Sequence, residues 1–292
     1  MYYIEESDKP NKILKILKLI KTVDNKIILP VNGEELNEKY QYKMAKKTYK
    51  ILEKTNSNKV VISKKINNYI HFKNYLYSLN IDIVDGKWLF RVMIPDILNY
   101  VIEKYELRKQ QIELSVLIND ASDIEIQQIK EFANEYKRLN VVTNHINKFK
   151  NLEDKIYEET GNLITINNNK KKSLSKSKII INYDFPNELI NKYNIYDEAI
   201  IVSNLDKIKI DKKRFNGINI KDFEINKNED LKYDSKQLYE AKFFKKQTFE
   251  YIKNKLKEDN VKIVNIKGNS GSILWKNINF YFAKILSFFT KI

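Results

Sequence analysis

Short apolar runs alternate with amphipathic ones from Glu113 to Asn204, and this alternation limits what the chain can fold into more than any other feature. In order the stretch reads ELSVLIND, an amphipathic segment from Asp123 to Lys137, RLNVVTN, a second helical segment, LITINNN, KIIINYDFP and EAIIVSN. Apolar, β-branched runs that end in Asn and Asp are buried strands. Helical periods between such strands require parallel pairing with right-handed crossovers.

The pattern extends toward the N-terminus. KIILPVN reads as a strand ended by Pro30 and the Asn32–Gly33 turn. A helix follows through Ala45 and Ile51, then the strand KVVIS, a helix through Phe72 and Leu76, and the strand IDIVDG. Asn11–Lys21 puts Ile13, Ile16, Leu17 and Ile20 on one helical face. That is a first helix docked on a core, with a membrane or anion contact as the alternative. Arg91–Arg108 reads as one long helix, with Pro95 near its start where the ring is tolerated.

Three short motifs punctuate the central stretch. Asn119–Asp123 (NDASD) follows the first apolar run, and Thr143–Lys148 (TNHINK) follows the second. Ser175–Asn182 (SKSKIIIN) precedes Pro186. Over residues 112–205 this order and these motifs resemble the nucleotide domain of two-domain NAD(P) dehydrogenases of the shikimate dehydrogenase and glutamyl-tRNA reductase type. The resemblance implies a Rossmann-like fold and a glycine-rich turn at Asn119–Asp123. No glycine stands there; Asp120 and Asp123 put carboxylates where two phosphates should lie, and Asp123 reads as a helix N-cap. TNHINK is similar to the Asn-Arg-Thr-x-x-Lys pattern that holds a 2′-phosphate, which makes Thr143, Asn144 and Lys148 the cofactor-binding candidates. Asn144, however, stands where a guanidinium should clamp the phosphate. SKSKIIIN resembles the family's fourth strand and carries packing. The expected fold is therefore α/β: two parallel-sheet α/β domains, the second Rossmann-like, plus a C-terminal amphipathic helix. Expected boundaries are 1–111, 112–228 with a hairpin extension, and 229–292.

Between the third and fourth runs lies NNNKKKSLSK. Lys170, Lys171, Lys172, Ser173 and Ser175 are the anion-binding candidates, for a phosphate or a nucleic-acid backbone, with a solvated charge run as the bland alternative. Lys64, Lys65, Asp85 and Lys87 also follow strands, at the edge where α/β ligands bind. The net charge of +15 favours anionic partners, although the richness in Lys, Asn, Ile and Tyr points to an AT-rich coding genome as part of its origin. With no cysteine and only two histidines, His71 and His145, neither thiolate chemistry nor a metal centre is expected. The chain shows no catalytic residues in a nucleophile arrangement, no P-loop and no cofactor turn, so no cofactor is expected.

Beyond Asn204, KIKIDKKRFNGINIKDFEI alternates apolar and polar residues and reads as a hairpin turned at Asn216–Gly217. Leu238–Leu256 reads as an amphipathic helix with Phe243, Phe244, Phe249 and Ile252 on its apolar side, and NVKIVNIKG as a strand before a Gly268–Gly271 hinge. In the tail, Trp275, Phe282, Phe288 and Phe289 share a broad apolar face opposite lysines, which makes them the membrane-contact candidates. Lys276 and Lys284 exclude a spanning helix. The expected partners are an anionic membrane surface through residues 272–292, a protein partner or a second copy of the chain; nucleic acid ranks after these, because no reading motif is present. The N-terminus lacks the order of a signal peptide, so a cytoplasmic protein peripheral to the membrane is expected. The expected function is a non-catalytic Rossmann-like protein with a structural, regulatory or interaction role. The alternatives are an NAD(P)-dependent oxidoreductase with an atypical nucleotide site and a nucleic-acid binder.

Overall fold

A computed structural model describes residues 1–273, apart from 11, 18, 206–207, 227–234, 244–246 and 270. These residues form two units, 1–89 with 235–243, and 90–226 with 247–273. The tail residues Trp275, Phe282, Phe288 and Phe289 lie outside the described residues, as does Phe244.

The first unit contains β1 (Tyr2–Glu6), α1 (Lys12–Leu17), β2 (Lys21–Val23), β3 (Lys26–Leu29), α2 (Glu38–Lys54), β4 (Lys59–Ile62), α3 (Ile70–Ser78) and β5 (Asp82–Val84). Its sheet runs β2-β3-β1-β4-β5, parallel except for the antiparallel edge strand β2. Ile4, Ile27, Val60 and Ile62 pack against Met44 and Leu52 of α2 and Phe72 and Leu76 of α3. On the opposite face, Tyr3, Val61 and Val84 meet Leu238 and Ala241, at and just after α9 (Ser235–Glu240).

The expected first helix differs from the observed one. α1 spans only six residues, buries none of them, and gives way to β2 at Lys21. Fewer than two turns cannot lay a continuous apolar face on a core. β2 then folds back on β3 through a tight turn in which Asp24 takes the left-handed conformation (φ 49°).

The second unit contains α5 (Ile94–Lys104), β6 (Glu113–Leu117), α6 (Asp123–Glu135), β7 (Arg138–Val142), α7 (Ile146–Thr160), β8 (Thr165–Asn167), β9 (Ile179–Asn182), α8 (Asn187–Ile190), β10 (Ile200–Ser203), β11 (Ile218–Ile225), α10 (Phe249–Glu258), β12 (Ile263–Gly268) and β13 (Gly271–Ser272). Its sheet runs β13-β12-β11-β10-β9-β6-β7-β8. From β11 to β8 every pairing is parallel. Numbered along the chain from β6, those parallel strands lie in the order 3-2-1-4-5-6, which is the Rossmann order. One cluster of the core, built on Leu117, Val142, Ile180 and Ile201, is closed by irregular segments that contribute Leu174, Phe185, Tyr193, Ile195 and Ile208.

Three sequence expectations need correction here. Arg91–Arg108 is not one helix: α4 (Lys87–Val92) stops, and α5 begins at Ile94. Pro95 has no N–H for the carbonyl of Arg91, so a continuous helix would leave that oxygen bare. The Gln128 amide supplies the missing donor, at 2.8 Å from the Arg91 oxygen and 3.0 Å from that of Val92. Nor is Asn216–Gly217 a hairpin turn. Gly217 lies against β10's approach, where an added Cβ would stand 2.1 Å from the Ala199 carbonyl, and β11 pairs parallel to β10. Finally, Leu238–Leu256 is not one helix. α10 starts afresh after Thr248, whose hydroxyl accepts the Tyr251 N–H at 3.3 Å.

Gln128 also accepts the buried Tyr183 hydroxyl, so one buried amide partners two carbonyls and a hydroxyl. Gln128→Leu would keep the volume and strip all three of their partner. It is expected to destabilise the fold by roughly 2–4 kcal/mol in urea unfolding.

Candidate functional site

In a sheet of this order, ligands meet the carboxyl ends of the strands where the order reverses, here between β6 and β9. The turn after β6 is built from Asn119, Asp120, Ala121 and Ser122. Ser122 precedes α6 and is bound by Glu125, whose carboxylate accepts the Ser122 N–H at 2.8 Å and also its hydroxyl. Ser122, not Asp123, is thus the N-cap, and Asp123 is the first helical residue. The capping box turns the buried Glu125 toward the helix start.

The backbone N–H groups just ahead of that cap are already taken. The Asp184 carboxylate, in the loop after β9, accepts the Asn119 N–H at 2.9 and 2.8 Å and the Asp120 N–H at 2.8 Å. Burial pushes the Asp184 carboxyl above its ordinary range, and these N–H groups pull it back. Asn182 fixes the loop from below: its side chain accepts the Phe185 N–H at 2.8 Å and donates to the Phe185 carbonyl at 2.9 Å. Arg91 stands 3.5 Å from Glu125 and 3.5 Å from the Tyr183 carbonyl, where it offsets part of the negative charge. The N–H groups that a dinucleotide's phosphates would need are therefore held by Asp184, with the Glu125–Arg91 and Asp120–Lys148 pairs nearby.

Beyond β7, the structure brings together two of the three cofactor-binding candidates. Asn144 and Lys148 line an open cleft of about 740 Å³ with Asp120, His145, Ile146 and Asn147. Thr143 is not part of the lining; it is buried, and its hydroxyl accepts the His145 N–H at 3.0 Å. The Asn144 N–H donates to the Asn119 side chain at 3.0 Å, tying the two turns together. Lys148 forms an ion pair with Asp120, and that ammonium holds the Asp120 carboxyl below the usual range.

The anion-binding candidates occupy a turn that is largely satisfied from within. Asn169 accepts the backbone N–H groups of Lys171 and Lys172 at 3.0 and 3.1 Å. Ser173 donates to Asn169 and to Asn167, and Ser175 to the Lys172 carbonyl. The side chains of Lys170, Lys171 and Lys172 remain exposed, so they are what this segment offers an anion.

In the first unit, Asp85 and Glu240 cap the start of α4. Asp85 accepts the Lys87 N–H at 3.1 Å, and Glu240 the Leu89 N–H at 2.9 Å. Gly86, between Asp85 and Lys87, takes the left-handed conformation (φ +83°), where any other side chain would be strained. Asp85 is accordingly a capping residue. Sequence reasoning missed Glu240 and Asp184 alike, because each acts far along the chain from the backbone it caps. Among the described residues no three His, Asp or Glu side chains gather as metal ligands, and no helix is long and apolar enough to cross a membrane.

No protein-family model and no curated protein sequence matches the chain. Solved structures with a partial likeness include L-tryptophan dehydrogenase from Nostoc punctiforme, at 8% identity and a TM-score of 0.33. That alignment covers 73% of this chain and 65% of the dehydrogenase, just under two thirds of it. Ornithine carbamoyltransferase from Pyrococcus furiosus aligns at 8% identity and a TM-score of 0.30, over 70% of this chain and 72% of its own. D-mandelate dehydrogenase from Rhodotorula graminis gives 6% identity, a TM-score of 0.31 and coverage of 73% and 76%. The Rossmann-like assignment rests on the strand order of the second sheet.

Glu240 makes the first unit sensitive to pH. Burial pushes its carboxyl from 4.5 up to about 7, with the neighbouring Asp85 adding to the rise. The folded state then holds a proton that the unfolded chain has released, so stability falls as pH rises between about 5 and 7.5. The loss is on the order of 2–3 kcal/mol. Glu240→Gln keeps an acceptor for Leu89 and is expected to flatten that slope in thermal melts recorded across the window.

Proposed function

We propose that the chain is a non-catalytic Rossmann-like protein with a structural, regulatory or interaction role. The observation that carries this reading is the Asp184 carboxylate on the Asn119 and Asp120 N–H groups. A dinucleotide-binding turn keeps those groups for a pyrophosphate and uses glycines to let it approach. Here a ligand phosphate would have to displace Asp184 from those groups. Exchanging a carboxylate already fixed in place for a mobile external anion is unfavourable, because the newcomer must lose its freedom to make the same hydrogen bonds. The resemblance to the shikimate dehydrogenase and glutamyl-tRNA reductase type is then one of descent in shape without the nucleotide. Peripheral membrane contact through residues 272–292 belongs to the same reading and rests on the sequence pattern of Trp275, Phe282, Phe288 and Phe289.

One observation favours a second reading, an NAD(P)-dependent oxidoreductase with an atypical nucleotide site. The cleft at Asn144, His145 and Lys148 lies at the start of α7, beside the strand whose end carries the adenosine ribose in dinucleotide-binding folds.

A thermal-shift screen with NAD, NADP and ATP at millimolar concentration separates the two. The non-catalytic reading expects a change within about 1 °C for each. A ligand at a hundred times its Kd would add about 2.7 kcal/mol and raise the midpoint by several degrees, and that outcome would overturn the reading.

A further inference from the structure

We infer that the Lys12–Val23 edge of the first unit, α1 with β2, is a surface that docks on an anionic bilayer. Its apolar side chains face outward: Ile13 is 62% exposed, Ile16 77%, Leu17 56% and Leu19 47%. Ile13, Ile16 and Leu17 share one face of α1 by their spacing. Scattered exposed aliphatics are ordinary on a protein surface, but a run of them gathered on one element is not.

The helix is held to the unit by its polar groups. Tyr40 donates to the Lys15 carbonyl at 3.3 Å, Lys47 to the Leu17 carbonyl at 3.0 Å, and Lys15 pairs with Glu34. Ile20 packs against the sheet core, and Leu14 is half-buried. The segment is therefore anchored through its carbonyls and Ile20, while Ile13, Ile16, Leu17 and Leu19 stay exposed.

Charge selects the occupant. Lysines stand at 9, 12, 15, 18 and 21, and residues 9–23 contain no Asp or Glu; Asp8 and Asp24 flank them. Lys12 and Lys21 are exposed beside the aliphatic residues. A second copy would bring lysines against lysines. Nucleic acid would leave the aliphatics in water, and the patch has no aromatic ring for a base to stack on. An anionic bilayer accepts both parts, with aliphatics entering the acyl boundary and lysine stems reaching back to the headgroups. The inference rests on the interaction role proposed above. The two fail separately, because a ligand-induced stabilisation would remove the non-catalytic reading and leave vesicle binding untouched.

The test is flotation of the full chain with phosphatidylcholine vesicles, with and without phosphatidylserine. Salt-sensitive binding to the anionic vesicles is expected. In Ile16→Ser/Leu17→Ser/Leu19→Ser it should fall about tenfold or more, with unchanged thermal stability. The same drop is expected in a full-length background carrying Phe282→Ser/Phe288→Ser/Phe289→Ser, which separates α1 from the tail. Absence of binding by the native chain would overturn the inference, and so would binding that the α1 substitutions leave intact in both backgrounds. A fall in thermal stability with the α1 variant would mean that the chain itself covers this face, and a loss of dimer in light scattering that a second copy does. Either result would likewise overturn it.

Discussion

The second unit depends on a single electrostatic arrangement, in which the Asp184 carboxylate sits on the N–H groups at the end of β6. Rossmann-like sheets leave these groups unsatisfied, and nature usually fills the vacancy with a ligand. Here the fold fills it from β9, the strand across the reversal of order. The choice propagates outward. The turn itself holds no glycine, and its N–H groups are met by a carboxylate of the chain. Asp120 can then turn outward to Lys148, and Glu125 can serve as the partner of the N-cap.

Side chains stand in for backbone partners at two other interruptions. Gln128 takes the place of the hydrogen bond that Pro95 cannot make, and Glu240 and Asp85 cap a helix entered through Gly86. Ser115, Ser173 and Ser177 form a buried polar seam beneath the lysine turn, with Ser115 and Ser177 hydroxyls 2.6 Å apart. Buried polar groups that are fully satisfied fix one arrangement of the chain, and partly satisfied ones cost more than an apolar core would. The seam holds the segment between β8 and β9, which contributes Leu174 to the Leu117–Ile201 core.

Much of this architecture was legible in residue patterns. The runs around Val116, Val141, Ile180 and Ile201 became the parallel strands expected, because continuous β-branched runs admit few other uses. β1 escaped notice: YYIEE mixes aromatics with carboxylates, yet lies between β3 and β4 at the centre of its sheet. Its Glu6 is buried against the Tyr69 hydroxyl and the Gly33 N–H, partners that lie far along the sequence. The helix break at Met93 was hidden for a similar reason. Pro95 looked tolerable near a helix start, and the donor that makes the break stable comes from α6. At the site, the acidic turn could be read directly from Asp120 and Asp123, whereas its occupant could not, since nothing in the sequence near Asp184 links it to Asn119. Short-range chemistry is visible in a single chain; pairings made across a sheet are not.

Whether the Asn119 and Asp120 N–H groups belong to Asp184 or to a ligand decides between the two functional readings. Backbone amide chemical shifts of those two residues, followed by NMR while NAD or NADP is added to millimolar concentration, answer this most directly. Both signals are expected to stay where they are in the native protein and to move when Asp184→Ala removes the carboxylate. Ligand-dependent movement of both signals in the native chain, saturating with concentration, would contradict the non-catalytic reading.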